Sequence, residues 1–186
     1  ATWANDNWYG VSSKNLITIN TSTGATTTIG YIGVSLQALS YDVQSNVMYG
    51  ISYNKGTSYL YSINLTTAAP TLIGAIGSYE FNNLAISLDG ELYSICINDD
   101  NLYSINKTTG LGTIIGPIGF DAVNYQDMEF DKVNGVCYWL GNISDYYSMN
   151  FYSIDIETGI ATLLNNLNTS ISTIAIPYTP SCLPLP

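Results

Sequence analysis

All-β is the class the sequence predicts, and three observations carry it: an internal repeat, two-residue alternation within each repeated segment, and a strand tally that closes on four units. Leu16-Ile17-Thr18-Ile19-Asn20 returns as Leu60-Tyr61-Ser62-Ile63-Asn64, Leu102-Tyr103-Ser104-Ile105-Asn106 and Phe151-Tyr152-Ser153-Ile154-Asp155. Counted from Asn20, the copies fall 44, 42 and 49 residues apart. Four short strands in a unit of this length are the signature of a propeller blade. The sequence therefore reads as a small, four-bladed β-propeller of four-stranded antiparallel blades over residues 1–176. A Pro-rich extended tail follows at 177–186.

Each element follows from its own pattern. The repeated Leu-Tyr-Ser-Ile-Asn segment alternates apolar and polar residues and ends on Asn or Asp, as a strand running into a turn does. Thr23-Gly24, Thr109-Gly110 and Thr158-Gly159 supply the turn; the second copy has Thr67-Ala68, which leaves its turn type open. A short outer strand comes next: Thr28-Ile29-Gly30, Leu72-Ile73-Gly74, Ile114-Ile115-Gly116 and Thr162-Leu163-Leu164. An inner strand begins the next blade at Ala38–Asp42, Ala85–Asp89, Asp127–Asp131 and Ser172–Ile176. Its partner is a second strand, Met48–Ile51, Leu92–Ile95 or Cys137–Leu140, and Trp8-Tyr9-Gly10-Val11 matches these. On this order the chain opens on a second strand, Trp8–Ser12, and closes on an unpaired inner strand, Ser172–Ile176. Exchange of that last strand onto the first blade is expected to lock the ring. The alternatives are half of a larger ring completed by a second chain, and an open solenoid.

Composition narrows function by exclusion. The 186 residues carry 14 acids against four lysines, a net charge of −10, with no histidine and no arginine. A Ser-His-Asp or Cys-His nucleophile and a His-ligated metal are therefore excluded, as is a bidentate arginine clamp for phosphate. Strong acidity repels nucleic acid and anionic membranes, so neither is expected as a partner. No apolar run is long enough to span a bilayer as a helix. The chain opens without a basic segment leading into an apolar one, so any signal peptide is expected to have been removed.

The units Leu60–Asn64, Lys107-Thr108-Thr109-Gly110 and Gln126–Asp131, with the terminal Ile174-Ala175-Ile176-Pro177-Tyr178, resemble repeats in secreted, multidomain surface proteins of Bacteroidota-type bacteria. The resemblance spans roughly residues 3 to 180. It implies an extracellular, propeller-like module that sits beside adhesive or sorting domains, and it supplies no catalytic residues to carry over. The expected function is a non-catalytic structural or adhesive module at the cell surface, self-assembling through its termini, with a filament subunit as one form. The alternative is a glycan-binding, lectin-like module; a carboxylate-dependent glycoside hydrolase is the distant third. Expected partners are further copies, other surface proteins or glycans.

Candidate residues follow from these readings. Tyr53, Tyr59, Tyr146 and Tyr147 stand in two segments read as long aromatic loops, suited to sugar stacking or protein contact. Asp127 and Glu129 break the small-residue column of the inner strands. They could hold Ca²⁺, the one cofactor considered, or bond to backbone amides. Asp42, Asp89 and Asp131 end inner strands and are read as turn-shaping residues; Asp99, Asp100 and Asp145 are the acids a hydrolase would have to draw on. Glycosylation sequons stand at Asn20, Asn64, Asn106, Asn142 and Asn168, about as many as chance gives in so Asn-, Ser- and Thr-rich a chain. Cys137 reads as a buried apolar residue, whereas Cys182 in the tail could bridge to Cys96 or to another chain.

Overall fold

The computed structural model describes residues 1–123, 126–142, 149–167, 169, 171 and 173–178. Sixteen strands form four four-stranded antiparallel sheets, the blades of a four-bladed β-propeller, with no helix among the described residues. Blade 1 is β1 (Thr2–Ala4), β2 (Asn7–Ser12), β3 (Asn15–Ile19) and β4 (Thr26–Tyr31). Blade 2 is β5 (Ala38–Asp42), β6 (Val47–Asn54), β7 (Thr57–Ile63) and β8 (Pro70–Gly77). Blade 3 is β9 (Ala85–Ile86), β10 (Leu92–Cys96), β11 (Asn101–Ile105) and β12 (Gly112–Pro117). Blade 4 is β13 (Asp127–Asp131), β14 (Val136–Gly141), β15 (Asn150–Ile154) and β16 (Ala161–Asn166). Within each blade the strands lie in chain order from inner to outer.

One expectation about closure is corrected. Blade 1 takes its inner strand from the start of the chain: Thr2 pairs with Tyr9, Trp3 with Trp8 and Ala4 with Asn7. The physical reason is a two-residue hairpin at Asn5-Asp6, both at positive φ (46° and 59°), the backbone of a type I′ turn. The side of β2 assigned to the last strand is thus already occupied, and Thr173–Tyr178 is not a ladder strand. That segment still meets the chain start through individual bonds. The Trp3 indole Nε1 donates to the Tyr178 carbonyl at 3.2 Å.

The turn at the end of each third strand is built the same way four times. The side-chain oxygen of Asn20, Asn64, Asn106 or Asp155 accepts from two successive backbone amides, at 2.9 to 3.2 Å. The residue that closes the turn is at positive φ in every blade: Gly24, Ala68, Gly110 and Gly159. Ala68 therefore adopts the glycine conformation, with φ of 62°.

Apolar cores lie between successive blades. Tyr9 and Leu16 of blade 1 pack with Tyr41, Met48 and Ile63 of blade 2. Tyr49 and Leu60 of blade 2 pack with Ile86, Leu92 and Ile105 of blade 3. Leu102 of blade 3 packs with Phe130, Cys137 and Ile154 of blade 4. At these three joints the outer strand of one blade also touches the turn of the next, and a glycine makes the approach possible. A Cβ on Gly30, Gly74 or Gly116 would lie 2.7, 2.0 or 2.3 Å from the carbonyl oxygen of Thr67, Thr109 or Thr158.

Candidate functional site

The joint between blade 4 and blade 1 differs from the other three. Strand pairing places Asn165, not Leu164, at the glycine position: Phe151 pairs with Asn165 as Leu16 pairs with Gly30, Leu60 with Gly74 and Leu102 with Gly116. The turn that would meet Asn165 belongs to blade 1. There Gly24 is exposed and a Cβ on it would meet nothing within 4 Å, whereas Ala68, Gly110 and Gly159 are buried.

The same departure runs through the apolar positions. Each blade turns a cross-strand triplet towards the blade before it. The triplets of blades 2 to 4 are Tyr41, Met48 and Ile63; Ile86, Leu92 and Ile105; and Phe130, Cys137 and Ile154. All nine are buried. In blade 1 the triplet is Trp3, Trp8 and Ile19, and all three are partly exposed. The two indoles meet edge to face, with ring centroids 4.9 Å apart. They open on a cleft of about 550 Å³ whose rim carries Asp6, Asn7, Thr18, Asn20, Ser22 and Thr27. Across the joint, Tyr138 and Phe151 of blade 4 stack at 4.9 Å and are also partly exposed.

Closer to the axis this joint is closed by polar contacts. Thr2 Oγ1 donates to Glu129 Oε2 at 3.0 Å, and Lys132 Nζ pairs with Glu129 Oε1 at 3.2 Å with both side chains buried. The Asp127 carboxylate accepts the Thr173 hydroxyl, the Ile174 amide at 3.0 Å and the Met128 amide at 2.9 Å; the Ala1 ammonium lies 3.9 Å away. Burial pushes the Asp127 carboxyl up to about 6. Of the two readings of these carboxylates, Ca²⁺ ligands or acceptors of backbone amides, the second describes them here: the Met128 and Phe130 amides donate to Asp127 and Glu129, and other protein donors engage the remaining oxygens. No group of three or more His, Cys, Asp or Glu residues able to hold a metal occurs among the described residues.

The other predicted residues are placed as follows. Tyr53 and Tyr59 stand in β6 and β7, not in a long loop, because Lys55-Gly56 alone makes the hairpin turn. With Tyr61, Ser52 and Lys14 they line a second cleft of about 550 Å³ between blades 1 and 2. Tyr146, Tyr147, Asp145, Asn168 and Cys182 lie outside the described residues. Asn20, Asn64 and Asn106 are exposed at their turns, but the Asn142 side chain is buried, which denies it a glycan in this fold. Cys96 is a free thiol, fully buried between blades 2 and 3; burial pushes it up to about 12. A bridge from it to Cys182 would require the core to open. Cys137 is buried between blades 3 and 4, as its apolar context predicts.

The acids serve local structure. At Asp42, burial acts to raise the carboxyl. Bonds from the Ser45 hydroxyl, the Gln44 and Ser45 amides and Lys107 outweigh it and hold the group below its usual range. Asp131 accepts from Val133 and Asn134 in the turn it was expected to shape. Asp99 accepts the Tyr103 hydroxyl at 2.6 Å, and Asp100 accepts the Ala122 amide at 2.8 Å. Sequence reasoning missed Trp3 and Trp8. The available signal was Trp8 standing where the other copies have Met48, Leu92 and Cys137.

Three solved structures show what this architecture is similar to. A Bacteroides thetaiotaomicron protein of unknown function aligns with 84% of this chain and 42% of its own, at 16% identity and a TM-score of 0.59. A nidogen/laminin complex aligns over 89% and 63%, at 12% identity and a TM-score of 0.63. An auxiliary nutrient binding protein from Bacteroides ovatus aligns over 87% and 39%, at 11% identity and a TM-score of 0.60. The chain thus spans less than two thirds of each, and at such identities the likeness is one of fold. No protein-family model and no curated protein matches the sequence.

Proposed function

We propose that this propeller is a non-catalytic, extracellular structural module that associates with further copies of itself through the outer edges of its blades. One observation carries the reading. The four edge strands, β4, β8, β12 and β16, contain no charged residue, and most of their side chains face solvent. Proteins that remain monomeric commonly guard such edges with lysine or another charge, because an unpaired strand is a template for strand addition. Each edge here has a bulge opposite its third strand, which leaves a short straight segment before it: Thr26–Thr28, 70–72, 112–114 and 161–163. A net charge of −10 per copy opposes association at low salt, so assembly should strengthen as salt screens it.

Light scattering across protein and salt concentration tests this. The native chain is expected to form larger species with rising salt, and lysine at the exposed Thr27, Thr71, Thr113 and Thr162 to abolish them. A native chain that stays monomeric at every concentration and salt would refute the proposal.

A further inference from the structure

We infer that the cleft walled by Trp3 and Trp8, whose rim reaches the edge strand β4 at Thr27, is a binding site for a neutral oligosaccharide. The argument starts from the repeat. At three joints the triplet position is covered by the preceding blade; at the fourth it is not, and there it carries two indoles. Asn165 keeps the joint from closing as the others do, because its Cβ would occupy the place the neighbouring turn carbonyl takes at a glycine. That also argues against a second copy filling the gap through the same blade-to-blade contact.

The chemistry of the cleft selects its occupant. Two partly exposed indoles offer apolar faces for the C–H face of a sugar ring. The rim supplies the hydroxyls of Thr18 and Thr27 and the amides of Asn7 and Asn20 for sugar hydroxyls. No lysine lines the cleft and the chain has no arginine, so a phosphorylated or carboxylated ligand would meet Asp6 and the net negative charge without a counter-ion. A volume of about 550 Å³ lies within the range usual for small-ligand sites, roughly 300–1,000 Å³.

The sequence holds three tryptophans, and the third, Trp139, is fully buried with its Nε1 bonded to Gln126, so a sugar-dependent change in emission reports on this cleft. The full chain is titrated with cellohexaose, laminarihexaose, maltohexaose and chitohexaose, following fluorescence and heat. At least one is expected to bind saturably with a blue shift of the emission. Trp8→Ala should weaken that binding about tenfold or more; Trp8→Phe, which keeps a ring, should weaken it less; Tyr53→Ala should leave it unchanged. No binding by any of the four, or binding lost in Tyr53→Ala and kept in Trp8→Ala, overturns the inference. So does an emission shift produced without sugar, either by raising protein concentration at low salt, where association through the edges is opposed, or by removing residues 179–186, since the cleft would then belong to a second copy or to the tail.

Discussion

The substitution Gly74→Ala tests the joint geometry on which the cleft inference depends. A methyl at Gly74 would stand 2.0 Å from the Thr109 carbonyl oxygen, against an ordinary contact of 3.4 Å or more. The obstacle is backbone in a bonded turn, so no side-chain rotation relieves it; β8 and the turn of blade 3 must move apart. Overpacking of this kind costs roughly 1–3 kcal/mol, and a rigid neighbour puts it near the top of that range. For a domain of this size each kcal/mol is worth about 2–4 °C, so a loss of about 6–12 °C in Tm is expected. The internal control is Asn165→Ala, at the same position of the repeat but at the open joint. There the residue is exposed and the change should stay within about 0.5 kcal/mol. Calorimetry of the two variants beside the native chain decides the matter. If both shift Tm alike, the close approach at the blade 2–3 joint is not what distinguishes it from the blade 4–1 joint, and the account of the seam fails.

Three further outcomes follow from buried groups. Asp127 has a carboxyl raised to about 6 against an unfolded value of 3.8, so the folded state holds the extra proton between those values. Stability from this group is therefore present below about pH 4 and lost as pH rises towards 6; Tm measured across that interval should fall in the native chain and fall less in Asp127→Asn. Lys132→Ala strands the buried Glu129 carboxylate and should cost about 3–5 kcal/mol by urea denaturation, whereas replacing Glu129 and Lys132 together by Leu and Met should cost far less. Peptide mapping after iodoacetamide treatment should find Cys96 and Cys137 unmodified in the native state and both modified in denaturant, because burial raises both thiols.

The blades were legible because alternation and turn chemistry repeat four times, and the turn residues do in the structure what their chemistry suggests. Asn20, Asn64 and Asn106 cap their turns through their oxygens, which accounts for asparagine at that position without any glycan. The inner strand of blade 1 was not legible. Thr2-Trp3-Ala4 is three residues long, lacks the residue pattern of its counterparts Ala38–Asp42 and Asp127–Asp131, and turns on Asn5-Asp6 without a glycine. The hairpin at Lys55-Gly56 was hidden differently: aromatic residues beside Asn and Ser look like loop, yet Tyr53 and Tyr59 are ladder residues facing a cleft. The apolar run Thr162-Leu163-Leu164 put Leu164 at the glycine position because it was matched by residue type; Gly30, Gly74 and Gly116 stand ten residues after Asn20, Asn64 and Asn106, and the same count from Asp155 reaches Asn165.

The departures at the seam come from separate parts of the chain. Trp3 and Trp8 lie in β1 and β2 and Asn165 in the last strand, and each breaks the four-fold pattern at the same joint, where the turn glycine Gly24 is exposed although its counterparts are buried. A ring of blades that packed identically would have no reason to vary there, since the preceding blade would demand a buried apolar triplet and a glycine at the fourth joint too. What permits the difference is how closure is divided with depth. Near the axis, the bond from Thr2 to Glu129, a carboxylate also paired with Lys132, ties blade 4 to the start of the chain, and the Thr173 and Ile174 donors on Asp127 tie it to the segment 173–178. Further out, the strands no longer need to touch for the ring to hold, and the apolar surface that packing would have covered is left for a ligand. A seam locked inside and open outside is therefore compatible with a stable ring, and it offers a place where binding costs no blade-to-blade contact.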